Sequence, residues 1–218
     1  MGSSVALNTT YVILGATGNT GSIITNFLLS KGEKVRVVRR DPGRLQKLNA
    51  ISGFNVLHLR PAYFMENNLA AIGMIQGTGI FGHALRAELK LPMIATRDTG
   101  DYAAKRLLDL DFSGKQTHEL LGEHELSMAE ATAVIGRGIG KPDLRYQQLP
   151  YDQVQQSLEQ TGFSSKKAAV YIEMFKAINT GLLAPLEPRS PGNSTPTSFE
   201  IFVQDVFAPA YHGKASAA

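Results

Sequence analysis

The stretch from Tyr11 to Gly21 constrains the fold more than any other, reading Tyr-Val-Ile-Leu-Gly-Ala-Thr-Gly-Asn-Thr-Gly. The apolar run Tyr11 to Leu14 predicts a buried parallel strand, which breaks at Gly15 into a glycine-spaced turn that opens a helix at about Asn19. Each glycine has a physical task in that context. Gly15 permits the tight turn, Gly18 lets backbone amides approach a pyrophosphate with no Cβ in the way, and Gly21 lets the helix sit close to the strand. The helix N-terminus adds unpaired N–H groups and a partial positive charge. Gly15, Thr17, Gly18, Asn19 and Thr20 are therefore the candidate dinucleotide-binding residues.

The flanking sequence supports this reading. From Thr20 to Ser30, the residues Ile23, Ile24, Phe27 and Leu28 form the apolar stripe of a helix packed on a sheet, and Lys31-Gly32 ends it. A second β-rich run, Lys34 to Val38, completes a βαβ start and leads into Arg39-Arg40-Asp41-Pro42. At this strand end a free ribose 2'-hydroxyl calls for an acidic residue, and a 2'-phosphate calls for arginine. Arg39 and Arg40 thus favour NADP, with NAD as the alternative and Asp41 as a late-placed acid.

Composition removes several function classes. The chain has no cysteine, which excludes disulfides, thiolate metal sites and a cysteine nucleophile together. A net charge of +3 with scattered Lys and Arg does not indicate nucleic-acid binding. No apolar run reaches the roughly 18 residues of a membrane span, and the N-terminus lacks a signal-peptide core, so a cytoplasmic location is expected. His118-Glu119 and His124-Glu125 lack the histidine spacing of a zinc helix and read as surface polar residues, so no metal site is expected.

Three segments, Gly15-Ala-Thr-Gly-Asn-Thr-Gly21, Val35-Arg-Val-Val-Arg-Arg-Asp-Pro42 and Leu57-His-Leu-Arg-Pro-Ala-Tyr-Phe-Met-Glu-Asn67, together resemble the NmrA-like branch of the atypical short-chain dehydrogenases and reductases. The resemblance runs nearly end to end. It implies either an NAD(P)H-dependent oxidoreductase that transfers hydride to a small acceptor such as a quinone, or a non-catalytic NADP-sensing regulator that acts through a protein partner. It also implies that residues 62 to 76 pass over the nicotinamide end of the cofactor, which makes Tyr63, Phe64, Met65 and Asn67 the substrate-side candidates. Plain packing of an aromatic loop is the competing explanation of those four.

One departure from the family stands out. Several β-α units of the family pattern, about 70 to 90 residues, are missing near Pro42 to Gln46. Either the protein carries more residues here than the sequence records, or the chain has a true internal deletion. The expected fold is α/β: a Rossmann-like parallel sheet, complete in the first case and short of central strands in the second, with a small, mostly helical C-terminal lobe. Residues 9–126 would form the NAD(P)-binding domain, with the gap near 42–46, and 127–212 the helical substrate-side lobe interleaved with it.

The remaining elements follow from local signals. Asn55 to Leu59 reads as a strand ended by Arg60-Pro61, residues 91 to 96 as a short strand, and Asp98 to Leu108 as a helix. Tyr102 and Lys105 are three apart rather than the four that reductase chemistry needs, so both are read as structural. Gln76 to Gly82 contains a second glycine pattern, but it follows a helix and reads as a loop. His58, alternating with apolar neighbours, reads as a core histidine. Ser127 to Glu130 and Thr197 to Glu200 read as capping boxes, Leu144 to Leu149 as a strand, and 151 to 182 as two helices broken at Gly162. No general acid can be named. A small-molecule acceptor is the expected partner, with a homodimer or a regulatory protein as further options and neither nucleic acid nor membrane expected.

Overall fold

The computed structural model describes residues 10–14, 18–38 and 56–213. In chain order they form β1 (Thr10–Leu14), α1 (Asn19–Ser30), β2 (Lys34–Val38), β3 (Val56–Pro61) and β4 (Tyr63–Phe64). A 3-10 segment (Met65–Ala71) leads into α2 (Ile72–Thr78), β5 (Ile80–His83), β6 (Lys90–Ile94), α3 (Thr96–Asp109), β7 (Lys115–Leu120) and β8 (Glu125–Ser127). There follow α4 (Met128–Gly138), β9 (Arg145–Gln148), α5 (Tyr151–Gln160) and α6 (Ser165–Asn179). Finally α7 (Phe199–Phe202) runs through a π-helical turn (Val203–Phe207) into α8 (Ala208–Tyr211).

These elements divide into two compact units. The first takes the described residues up to Arg60 together with Thr96–His118, and the second takes Pro61–Ala95 with Glu119 onward.

In the first unit β1 and β2 pair in parallel, with Thr10 opposite Lys34 and Leu14 opposite Val38. A parallel pair joined by a helix is the βαβ geometry that the glycine turn predicts. Tyr11, Ile13 and Leu28 are buried together, with Ile24, Val35, Leu107 and Leu108 packed against them, so α1 and α3 bury their apolar stripes on this pair. The C-terminus of α1 ends as read, with Gly32 at φ +77, a left-handed backbone that glycine adopts without steric cost. β3 pairs with β7. His58 on β3 is exposed, which corrects its reading as a core histidine: alternation locates the two faces of a strand but does not say which one is covered.

The second unit holds the larger core, around Phe81, Met93, Met128, Ile135, Phe202 and Phe207. β6 runs parallel to β4 and antiparallel to β8, and β5 runs parallel to β9 with Phe81 opposite Tyr146. The loop reading of Gln76 to Gly82 is corrected here. Gly79, at φ +70, ends α2, and Ile80–His83 is a strand whose partner lies more than sixty residues downstream. The capping box at Ser127 is present: its Oγ accepts from the Glu130 N–H at 3.1 Å, and Glu130 accepts from the Ser127 N–H at 2.8 Å. At the second expected box the cap is Ser198 rather than Thr197; its Oγ accepts from the Ile201 N–H at 3.1 Å, which turns Phe199 and Phe202 into the core.

Two buried polar residues tie this unit together. Asn179 donates to the Ala84 carbonyl at 2.9 Å and to the Tyr151 hydroxyl at 2.8 Å, and accepts from the Arg86 N–H at 2.9 Å. Glu119, expected at the surface, is 6% exposed and accepts from the N–H groups of Leu186 and Glu187 at 2.8 and 3.0 Å. A buried carboxylate that receives two amide donors is compensated for its lost hydration, and here it also fixes the irregular segment after α6.

Candidate functional site

The candidate dinucleotide site begins at the N-terminus of α1. Gly18 is the N-cap, with φ −83 and ψ 168, extended backbone open to any residue. Its carbonyl accepts the first helical hydrogen bond, from the Ser22 N–H at 2.9 Å. The amides of Asn19, Thr20 and Gly21 precede that donor, so none has an intrahelical acceptor. At α4, α6 and α7 a serine side chain occupies one such donor. Gly18 has no side chain with which to do so, and the first turn of α1 carries no acidic residue. The positive end of the α1 dipole therefore carries three N–H groups without an intrahelical acceptor and no carboxylate on the same turn, which suits an anion. Gly15, Thr17, Arg39 and Arg40 lie outside the described residues.

The substrate-side candidates lie in the second unit, on β4 and the 3-10 segment after it. Met65 is 2% exposed and belongs to the core, Phe64 is half-buried, and Asn67 is exposed. The buried asparagine is its neighbour Asn68, whose Nδ2 donates to the Met65 carbonyl at 2.8 Å. Nothing in the sequence separates Asn67 from Asn68, because the choice follows from the 3-10 spacing of this segment.

Tyr63 has the most unusual environment of the four. Its hydroxyl is buried with no hydrogen-bond partner among the described residues, and burial, with Tyr146 nearby, holds its ionisation well above the ordinary tyrosine range. Its ring meets His83 edge-on at 6.2 Å, and His83 meets Phe175 edge-on at 5.0 Å. His83 accepts from the Leu85 N–H at its Nδ1 (3.2 Å), so the neutral ring carries its proton on Nε2. Tyr146 donates to the Leu85 carbonyl at 2.5 Å, and burial raises its ionisation as well.

Burial pushes the His83 imidazolium down to about 4. The unfolded chain binds this proton at about 6.5. Between those values the unfolded state holds more protons than the folded one, so stability is complete above about 6.5 and falls as pH drops towards 4. The loss should reach on the order of 3 kcal/mol at most. Denaturant titrations of the wild type and of His83→Asn, which keeps an acceptor near Nδ1, at pH 7.5 and 5 test this. The wild type should lose more stability than the variant, and equal losses would remove His83 as the cause.

Tyr102 and Lys105, read as structural in the sequence, both have side-chain partners. Lys105 pairs with Asp109 one turn along α3. Tyr102 stacks on His118 at 5.1 Å, and its hydroxyl accepts from Arg106 at 2.7 Å. Among the described residues no group of three His, Asp or Glu side chains could hold a metal ion, and no helix is long and apolar enough to cross a membrane.

No family model matches the chain. A curated relative, the uncharacterized oxidoreductase YesF of Bacillus subtilis (strain 168), is 31% identical over 125 residues. That stretch is 56% of this chain and 43% of the relative, so the chain spans less than half the length of the curated relative it matches. Solved structures match over more of the chain. A new type of NADPH-dependent quinone oxidoreductase from Escherichia coli superposes with a TM-score of 0.70 at 17% identity, over 91% of this chain and 100% of that one. A nucleoside-diphosphate-sugar epimerase from Staphylococcus aureus gives 0.69 at 15%, over 90% and 100%. The triphenylmethane reductase of Citrobacter sp. gives 0.65 at 13%, over 90% and 99%. Likenesses at these identities establish the fold alone: a Rossmann-like α/β architecture shared with these reductases and the epimerase.

Proposed function

We propose that the chain binds NADPH at the N-terminus of α1 and is an oxidoreductase that reduces a small acceptor of the quinone type. The observation that carries this reading is the glycine-capped, acid-free first turn of α1, placed directly after a strand of a parallel βαβ unit. Solved structures of the same fold complexed with NADPH and with NADP(H), the quinone oxidoreductase and the triphenylmethane reductase, support it. The amides at Asn19 and Thr20 would hold the pyrophosphate, with Gly15, Thr17 and Gly18 shaping the turn and Arg39 and Arg40 meeting the 2'-phosphate. The nicotinamide, when bound, supplies the hydride, and a quinone that accepts it takes one proton from solvent to become the hydroquinone. The chain's own part is to bind and orient.

The test follows absorbance at 340 nm with NADPH or NADH and a panel of quinones. Turnover with NADPH at least about tenfold above that with NADH is expected, since paired arginines reward the extra phosphate. Tight NADPH binding without turnover would favour a nucleotide-sensing regulator instead, and absence of binding would overturn both readings. In the same assay Tyr63→Phe is expected to lower kcat/KM for the acceptor by about tenfold, with melting unchanged or raised, because an unpartnered buried hydroxyl adds nothing to folding. Unchanged turnover would return Tyr63 to a packing role.

A further inference from the structure

Gly100, on the first turns of α3, is buried and packs against the start of α1. A methyl group at its position would stand 2.6 Å from Cγ2 and 2.7 Å from Cβ of Ile23, and 3.4 Å from the carbonyl oxygen of Thr20. The first two distances are shorter than side-chain carbons tolerate, so one helix would have to give way. The two are not equally free to do so. On α3 the neighbouring Thr96, Asp98 and Thr99 are 8%, 5% and 4% exposed, which leaves that turn little room to recede. On α1 the buried residues are only Thr25 and Leu28, both past the first turn, and Gly18 and Asn19 are exposed. The start of α1 is the part that would shift.

We propose that Gly100 is a positioning residue for the cofactor: by bringing no side chain to the α1–α3 contact, it sets where the amides of Asn19 and Thr20 point. The inference rests on the assignment of Gly18 to Thr20 as the pyrophosphate-binding turn. It explains why glycine, a weak helix former, stands inside α3 where alanine would raise helix stability. Thr20 and Ile23 are one turn apart on α1, so pressure on Ile23 is delivered to the turn that carries those amides.

The experiment measures NADPH binding by titration calorimetry, together with melting temperature, for the wild type, Gly100→Ala, Ile23→Gly and the double variant. Gly100→Ala should weaken NADPH binding by about tenfold, while kcat at saturating NADPH stays within about twofold of the wild type, since no reacting group is touched. Ile23→Gly in the Gly100→Ala background removes both Cβ and Cγ2 from the contact and should recover most of the lost affinity. A wild type that binds NADPH alongside a Gly100→Ala variant that binds equally well overturns this inference alone, as does a loss of affinity that Ile23→Gly leaves unrepaired. A wild type that binds no NADPH overturns the cofactor assignment and this inference with it. A higher melting temperature with unchanged binding would show that Gly100 only forgoes helix propensity, which also refutes the proposal.

Discussion

Gly122→Ala is expected to destabilise the second unit by more than about 4 kcal/mol. Gly122 lies between β7 and β8 at φ +72, and a methyl group there would fall 1.8 Å from the carbonyl oxygen of Met93 and 2.7 Å from its carbonyl carbon, both backbone atoms of β6. No rotamer change relieves such a contact, so β6 or the β7–β8 connection must move by more than an ångström. Movement there would break other bonds, because the Gly122 carbonyl accepts from Arg189 at 2.5 Å and from the Thr195 N–H at 3.2 Å. Arg189 also donates to the Leu121 carbonyl at 3.0 Å, and the Leu121 N–H donates to the Asn193 carbonyl at 2.8 Å. Left-handed strain alone costs about 1 kcal/mol; the collision and the lost bonds should bring the total above about 4 kcal/mol, a large share of a domain's stability. Gly140→Ala is the control, since Gly140 has φ +74 but open space around it, and it should cost only the strain. Circular-dichroism melts of the two variants decide the matter: a Gly122→Ala melt within a few degrees of Gly140→Ala would mean the close approach to Met93 is not a feature of the folded protein.

The parts of this architecture legible in the sequence are those where one local signal sets one local structure. The glycine spacing and the flanking apolar runs locate β1, α1 and β2, because glycines between an apolar strand and an amphipathic helix are a local signal for that order of elements. The Ser127 box is legible for the same reason, both of its bonds joining residues three apart. What escaped reading depends on distant partners. Ile80–His83 is four residues long with no period of its own, and it becomes a strand only by pairing with Arg145–Gln148. Glu119 is buried only because the loop at Leu186 and Glu187 brings it two amides. His58 and the choice of Ser198 over Thr197 were missed on a finer scale, where the sequence shows which residues can face inward or cap a helix but not which one does. For the candidate residues the contrast is the same: the glycine-capped start of α1 follows from a local motif, whereas in the second unit the burial of Tyr63 against His83 is made by β5 and α6.

Gly18→Asp should weaken NADPH binding roughly 100-fold without harm to the fold, a combination that few substitutions can produce. Gly18 has φ −83 and ψ 168, so aspartate enters without backbone strain, and as an N-cap it can accept from the unpaired amides of the first turn. Helix stability should therefore hold or rise by about 0.5 kcal/mol. The same carboxylate would occupy the donors the pyrophosphate needs and place a negative charge within a few ångströms of it. At an effective dielectric near 20 such a repulsion is worth about 3 kcal/mol, roughly a 100-fold loss of affinity. Gly18→Asn separates the two effects, since it blocks the same amides without the charge and should lose less. Calorimetric titration with NADPH, with melting curves alongside, reads both quantities. An aspartate variant that melts like the wild type and binds NADPH equally well would remove the N-terminus of α1 from the cofactor site, and with it the physical basis of the reductase reading.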